Sequence, residues 1–185
     1  MTPAILAALL PLAGQRGWSS ATLAAALVAA GEDPVLLPSH FPRGPLGAIA
    51  EWSSAADRAM VTAAQAEDIA SLRTPARIRR LVELRLAQVA PYKPALRTAL
   101  AHLALPWHLP AATAMAARTT DTMWRAAGDR SADFSWYTRR ASLGAVYGST
   151  LAFWTRDESP ELAPAMAFLD RRLENLARIT RGKRR

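Results

Sequence analysis

The spacing of the apolar residues is the feature that most limits what this chain can fold into. They recur at steps of three and four, which places them on one face of a helix. No long stretch alternates apolar and polar residues with the β-branched enrichment of a strand. Proline and glycine stand between the periodic segments, where helices begin and end. The sequence therefore predicts an all-α fold of about nine helices with short connections.

The segment 74–89 is the clearest helix. Its predicted buried stripe consists of Ile78, Leu81, Val82, Leu86 and Val89. The charged side chains of the segment are expected to lie mostly off this stripe, and Arg85 is one of them. A second stripe of this kind in the segment 133–154 consists of Trp136, Leu143, Tyr147, Thr150 and Trp154.

Composition argues against several classes of function. The chain has no cysteine, which excludes disulfides and thiolate metal sites, and its three histidines are scattered. No glycine-rich phosphate loop, Ser–His–Asp pattern or Glu-X-X-His pair is present. We therefore expect no catalytic residue, no cofactor and no metal. No window approaches the roughly 18 apolar residues of a membrane span, and residues 1–18 predict a first, partly buried helix instead of a signal peptide.

The net charge of +8 is unevenly distributed. Residues 1–70 hold three basic and six acidic residues, whereas residues 71–185 hold twenty basic and nine acidic ones. The basic excess therefore lies entirely in the second part, where it could attract anionic lipid headgroups.

Residues 14–60 resemble the helix-turn-helix of TetR-type regulators, with Gly17, Gly31, His40 and Phe41 at the expected places. A recognition helix needs Arg, Lys, Asn or Gln to read bases, and positive charge to neutralise phosphates. Residues 32–40 contain none of these four residue types and are net acidic. We therefore expect a degenerate helix-turn-helix that does not bind DNA, and a TetR-type regulator responding to an apolar ligand is the alternative function.

The segment 133–154 has a face of small residues. Gly144 and Gly148 are four apart, and Ala141, Ala145, Ser149 and Ala152 lie beside them. Such a face either admits a neighbouring helix at short distance or leaves room for a long apolar ligand. Composition alone favours the first interpretation.

The adjacent aromatic residues Trp136 and Tyr137 open the same segment. Neighbours on a helix diverge by about 100°, so at least one of the two should face solvent. An exposed aromatic residue flanked by arginine is typical of partner contacts, but it also fits a side chain that packs beside a helix cap.

Residues 131–173, "SADFSWYTRRASLGAVYGSTLAFWTRDESPELAPAMAFLDRRL", resemble the signature of a known family. It is the ubiquinone-biosynthesis accessory family of the ninth coenzyme Q biosynthesis protein. The matching motif comprises Asp133, Phe134, Trp136, Tyr137, Thr138, Arg139 and Arg140, then Asp157 and Ser159, then Phe168, Leu169, Asp170 and Arg172. The resemblance extends to "DTMWRAAGD" before it and to the TetR-like N-terminus.

The resemblance implies a TetR-like fold, no catalysis and a cavity that binds an isoprenoid quinone or its precursor. It also implies docking to the di-iron hydroxylase that acts on demethoxyubiquinone. The implied partner-binding residues are Asp121, Trp124, Asp133, Trp136 and Tyr137. The implied lipid-binding residues are Met115, Leu143, Gly144, Tyr147, Gly148 and Leu151.

The expected organisation is one continuous domain, with a degenerate helix-turn-helix region at 1–64 and a lipid-binding and docking region at 65–185. We expect a homodimer in the cytoplasm of a bacterium, peripheral to the inner membrane. Some family members carry a further amphipathic C-terminal helix that lies on the membrane. This sequence ends at Arg185, so we expect membrane contact through other surfaces.

Overall fold

The computed structural model describes residues 1–129, 134–159 and 161–182, with the side chains of residues 134–136 and 179–182 left out. These ranges form nine α-helices and no strand, which confirms the predicted all-α fold. The helices are α1 (Pro3–Arg16), α2 (Ser20–Ala29), α3 (Leu37–His40), α4 (Gly44–Gln65), α5 (Thr74–Val89), α6 (Lys93–Leu103), α7 (Leu109–Ala126), α8 (Phe134–Arg156) and α9 (Ala163–Gly182).

Helix α2 begins with a serine cap, and both α2 and α7 are followed by a glycine. The hydroxyl of Ser19 accepts a hydrogen bond from the backbone N–H of Thr22 at 3.1 Å and caps α2. Gly31 follows α2 with φ 80°, and Gly128 follows α7 with φ 88°. Both angles lie in the left-handed region that favours glycine, so these two residues end their helices.

Residues Met1–Ala56 and Val89–Met115 form a first compact unit. Helix α1 packs against α2 and α6, and Ile5, Leu9 and Leu23 are fully buried there. The indole N–H of Trp18 donates to the carbonyl of Ala95 at 3.1 Å, and its ring stacks on Trp52 with centroids 5.7 Å apart. The aromatic pair therefore ties the start of α2 to α4 and α6.

Residues Asp57–Gln88 and Ala116–Arg185 form a second compact unit. Every residue of the stripe predicted in the segment 74–89 is buried, and α8 packs along α9. Of the stripe predicted in α8, the four residues whose side chains are described are also buried: Leu143, Tyr147, Thr150 and Trp154. The division of one domain at residues 64 and 65 stays a prediction.

The prediction for Arg85 is wrong, because its side chain is buried with an acidic partner from another helix. The Arg85 Nε lies 2.6 Å from the Asp57 Oδ1, and the Thr119 hydroxyl donates to the Asp57 Oδ2 at 2.9 Å. Burial acts to lower the pKa of Arg85, but interactions with Tyr147 and Asp57 outweigh it and raise the pKa overall. Burial raises the pKa of the Tyr147 phenol beside this pair. We call Asp57, Arg85, Thr119 and Tyr147 the core polar cluster.

Removing one partner of this buried ion pair should strongly destabilise the protein. We expect Arg85→Met to lower the free energy of unfolding by about 3–5 kcal/mol, because it leaves the Asp57 carboxylate buried without its charge partner. The double variant Asp57→Leu/Arg85→Met should recover much of this loss. Urea unfolding measures both effects.

Arg80→Met is the matched control. Arg80 pairs with Glu67 and Glu83 at the surface of the same helix, at 2.7 Å and 2.8 Å. Its loss should cost at most about 1 kcal/mol. The account of the core polar cluster is wrong if Arg85→Met costs no more than this control.

Candidate functional site

A second ionic cluster lies where α7 meets α8. The buried side chain of Arg140 joins two carboxylates, with Nε 2.7 Å from the Asp121 Oδ1 and Nη1 3.1 Å from the Asp129 Oδ2. Asp121 lies in α7, Asp129 follows its end, and Arg140 lies in the second turn of α8. These ion pairs fix the first turns of α8 against the last turns of α7.

Arg139 and Trp124 extend the cluster towards solvent. The Arg139 Nη1 lies 3.0 Å from the Asp129 Oδ1, and its guanidinium carbon lies 5.9 Å from the centroid of the Trp124 ring. The indole N–H of Trp124 donates to the backbone carbonyl of Arg139 at 3.2 Å. We call Asp121, Trp124, Asp129, Arg139 and Arg140 the α7–α8 cluster.

The cluster contains two of the five residues predicted to bind a partner, Asp121 and Trp124. Tyr137, three residues before Arg140, is 66% exposed, which confirms that one of the two adjacent aromatic residues faces solvent. Asp133 lies outside the described residues, and so does the side chain of Trp136. Their role in partner binding stays a prediction.

Sequence reasoning missed the positioning role of Asp129, Arg139 and Arg140. It treated the two arginines as part of a family motif and as neighbours of an exposed aromatic residue. The available signal was two adjacent arginines in the first turns of a helix, preceded by one aspartate in the helix before it and a second just after that helix ends. Two cations and two anions at a helix junction are typical of an ion-pair network that sets the angle of the junction.

The residues predicted to bind lipid fall into different environments. Leu143, Tyr147 and Leu151 are buried in the second unit. Gly144 is half-buried, and a Cβ built on it would lie 3.8 Å from the Thr120 Cγ2. Gly148 is exposed. Met115 is buried and is grouped with the first unit, and the lipid role of all six residues stays a prediction.

The small face of α8 is exposed. Ala141, Ala145, Gly148 and Ala152 all face solvent, and a Cβ built on Gly148 would meet no described atom within 4 Å. Within the described part of the chain, close approach of a neighbouring helix therefore does not explain the glycine at 148.

A groove between α8 and α9 lies at the C-terminal end of this face. Its volume is about 450 Å³, and it is lined by Ser149, Ala152, Phe153, Arg156, Asp157 and Phe168. The rings of Phe153 and Phe168 stack with centroids 4.6 Å apart, and the Arg172 guanidinium carbon lies 4.6 Å from the Phe168 centroid. The groove thus combines an aromatic wall with small side chains that leave it open.

The described residues hold no group of three or more His, Asp or Glu side chains that could bind a metal ion. They also contain no helix long and apolar enough to cross a membrane.

The helix-turn-helix region has only short helical segments at the position of the recognition helix. A 3₁₀ turn at Pro34–Leu36 and the single-turn α3 stand where a recognition helix would be, and Val35 is 78% exposed. The fold resembles the crystal structure of the TetR transcriptional regulator from Nitrosomonas europaea, with a TM-score of 0.74 and 25% sequence identity. The match covers 94% of this chain and 96% of that one. The protein is therefore of the all-α, TetR-like class.

A comparison with protein-family models gives a more specific similarity than the shared fold. Residues 109–180 match the COQ9 family model, and this range contains α8, both glycines of its small face and the whole α7–α8 cluster. This match confirms the resemblance to that family seen in the sequence.

Similar proteins carry the same family name. The human mitochondrial ubiquinone biosynthesis protein COQ9 is 39% identical over 98 residues, which are 53% of this chain and 31% of that protein. The COQ9 protein of Drosophila melanogaster is 31% identical over 186 residues, covering 95% of this chain and 55% of its own length. The chain thus spans about a third to a half of the length of these relatives.

Replacing Gly148 tests whether the small face of α8 is open. We expect Gly148→Ala to raise the free energy of unfolding by about 0.5–1 kcal/mol, because alanine favours a helix interior and its methyl group meets open space. Urea unfolding of the purified chain measures the change.

Gly14→Ala is the contrasting variant within another helix. Its Cβ would lie 3.0 Å from the Pro94 Cβ and 3.2 Å from the backbone nitrogen of Ala95, so the neighbours must shift. Overpacking of this kind typically costs about 1–3 kcal/mol. A loss of stability in Gly148→Ala would contradict the open face and mean that something packs against it.

Proposed function

We propose that this protein is a non-catalytic accessory protein of ubiquinone biosynthesis, which binds an isoprenoid quinone or its precursor and presents it to a membrane hydroxylase. The observation that carries the proposal is the COQ9 match over residues 109–180, because the α7–α8 cluster and the α8–α9 groove both fall inside it. The names of the similar proteins support a role in ubiquinone biosynthesis.

The α7–α8 cluster is the proposed docking surface for the hydroxylase. Buried ion pairs of Arg140 hold α7 and α8 together, so Trp124 and the exposed Tyr137 are presented at fixed positions without further ordering. Rigid aromatic side chains beside arginine are the residue types that dominate binding energy at interfaces. Preorganisation of this kind lowers the entropic cost of association.

The small face of α8 and the groove at its end are the proposed lipid surface. Ala152 and Ser149 leave the groove open, and the stacked rings of Phe153 and Phe168 supply apolar contact area for an isoprenoid chain. Leu143, Tyr147 and Leu151 form the packed side of the same helix and support this surface from behind. A homodimer at the cytoplasmic face of a bacterial inner membrane is part of the proposal.

A TetR-type regulator is the alternative, and the reduced recognition segment argues against it. Residues 32–40 carry Glu32 and Asp33 but no arginine, lysine, asparagine or glutamine. Their negative charge would be repelled by the phosphates of DNA. The likeness to a TetR regulator concerns the fold, and fold does not fix function.

Deleting the gene tests the proposed function. We expect the deletion strain to lose ubiquinone and to accumulate a demethoxy or earlier intermediate, because the hydroxylase would lack the protein that presents its substrate. Quinone extraction and mass spectrometry measure both pools, and a plasmid copy of the gene should restore them. Normal ubiquinone in the clean deletion would overturn the proposal.

Tyr137→Ala tests the docking surface. Truncating an exposed side chain should leave the melting temperature within a few degrees, whereas loss of an interface anchor should weaken hydroxylase binding by about 2 kcal/mol, roughly thirtyfold. Calorimetry with the purified hydroxylase measures the affinity.

Val35→Ala is the matched control, since Val35 is also exposed and apolar but lies outside the family match. It should bind the hydroxylase as the parent does. A Tyr137→Ala protein that unfolds early, or one that binds as tightly as the control, would contradict the assignment.

A further inference from the structure

The turn between α6 and α7 exposes two large apolar side chains. Trp107 is 70% exposed and Leu109 is 52% exposed, and Pro106 and Pro110 beside them are also exposed. Adjacent apolar groups of this size at a surface mark a contact with a partner or with a membrane.

The turn is held in place by hydrogen bonds and ring contacts. Residues Pro106–His108 form a 3₁₀ turn, in which the backbone N–H of His108 donates to the carbonyl of Leu105 at 2.8 Å. The His108 Nδ1 lies 2.9 Å from the carbonyl oxygen of His102, and the two imidazole rings stack with centroids 4.5 Å apart. The Trp107 ring packs edge-on against His108 at 6.1 Å, so its exposure is a fixed feature of the turn.

In the sequence, the charged residues nearest to this turn on either side, Arg97 and Arg118, are both basic. The twenty residues 98–117 contain no Asp, Glu, Lys or Arg, and no acidic residue occurs between Glu83 and Asp121. Lys93 is the first residue of α6 and Arg97 lies in its middle, so both supply positive charge on the helix that leads to the turn. Burial, with repulsion from His108 as a second cause, lowers the pKa of His102, so the imidazole stays neutral at pH 7.

We propose that Trp107 and Leu109 insert into the interfacial region of an anionic lipid bilayer, with Lys93 and Arg97 facing the headgroups. Tryptophan favours the membrane–water interface, and basic residues on the helix that leads to an apolar tip add attraction to anionic lipid. The inference rests on the membrane-peripheral role in the proposed function and names the surface that this role uses.

Another exposed apolar surface of the same unit lacks this charge pattern. Val28, Val35 and Leu36 are exposed, but Glu32 and Asp33 lie between them in the sequence. Anionic headgroups would repel these carboxylates. Charge complementarity therefore selects the α6–α7 turn as the surface that meets lipid, and it makes Val35 a suitable control position.

Vesicle binding of the full chain tests the proposal. The parent protein should bind vesicles of phosphatidylcholine and phosphatidylglycerol more tightly than vesicles of phosphatidylcholine alone, and added salt should weaken the difference. We expect Trp107→Ser/Leu109→Ser to lower the partition coefficient about tenfold or more, whereas Val35→Ser should leave it unchanged. All three proteins should melt within a few degrees of one another, because the substituted side chains are exposed.

Fluorescence quenching identifies the inserted residue. Vesicles with brominated acyl chains should quench tryptophan fluorescence of the parent, and Trp107→Phe should keep binding but lose this quenching. The proposal is overturned if the parent does not bind anionic vesicles, if the double serine variant binds as the parent does, or if Trp107→Phe is quenched equally. The first two results would leave a protein partner as the occupant of the turn, and the third would mean that another tryptophan enters the bilayer.

These measurements need neither the hydroxylase nor a quinone. If the double variant loses vesicle binding but the deletion strain has normal ubiquinone, the proposed function is refuted and the membrane-binding surface is still supported. If the double variant binds vesicles as the parent does but the deletion strain lacks ubiquinone, the membrane-binding surface is refuted and the proposed function is still supported.

Discussion

The buried ion pair between Asp57 and Arg85 is the interaction on which the second unit depends. A buried charge without a partner costs several kcal/mol, so α4 and α5 must keep the register that brings the two side chains within 2.6 Å. Thr119 adds α7 through its hydrogen bonds to the carboxylate, and Tyr147 adds α8. The two helices that carry the candidate site are thus positioned by polar groups at the centre of the unit.

The α7–α8 cluster applies the same chemistry closer to solvent. There, Arg140 is buried between two aspartates, while Arg139 and Trp124 are more accessible. The cluster fixes the start of α8, and one face of that helix then faces the core while the opposite face stays open. Large groups at the start of α8 and small residues along its body therefore suit two tasks, which we propose to be partner docking and lipid contact.

Local features of this fold could be predicted from the sequence. The buried stripes of α5 and α8 follow from spacing alone, and Ser19 and Gly31 mark the ends of α2. The burial of Arg85 could not be predicted, because its partner Asp57 lies 28 residues earlier and only tertiary packing brings them together.

The exposure of the small face of α8 could not be predicted from the sequence, because a neighbouring helix could equally have packed against it. The stripe containing Leu143 and Tyr147 and the face containing Ala145 and Gly148 are both apolar enough to be buried. Large side chains bury more apolar area than small ones, and packing against α9 leaves the small face outside. The groove beside Phe168 depends on two helices together, so no pattern within either one indicates it.

Mass spectrometry of the lipids extracted from the purified full chain tests the central claim most directly. The account predicts that an isoprenoid quinone or its precursor is enriched on the protein relative to the bulk lipid of the host cell. It would be contradicted by a protein that carries no lipid, or only phospholipids in the proportions of the host membrane.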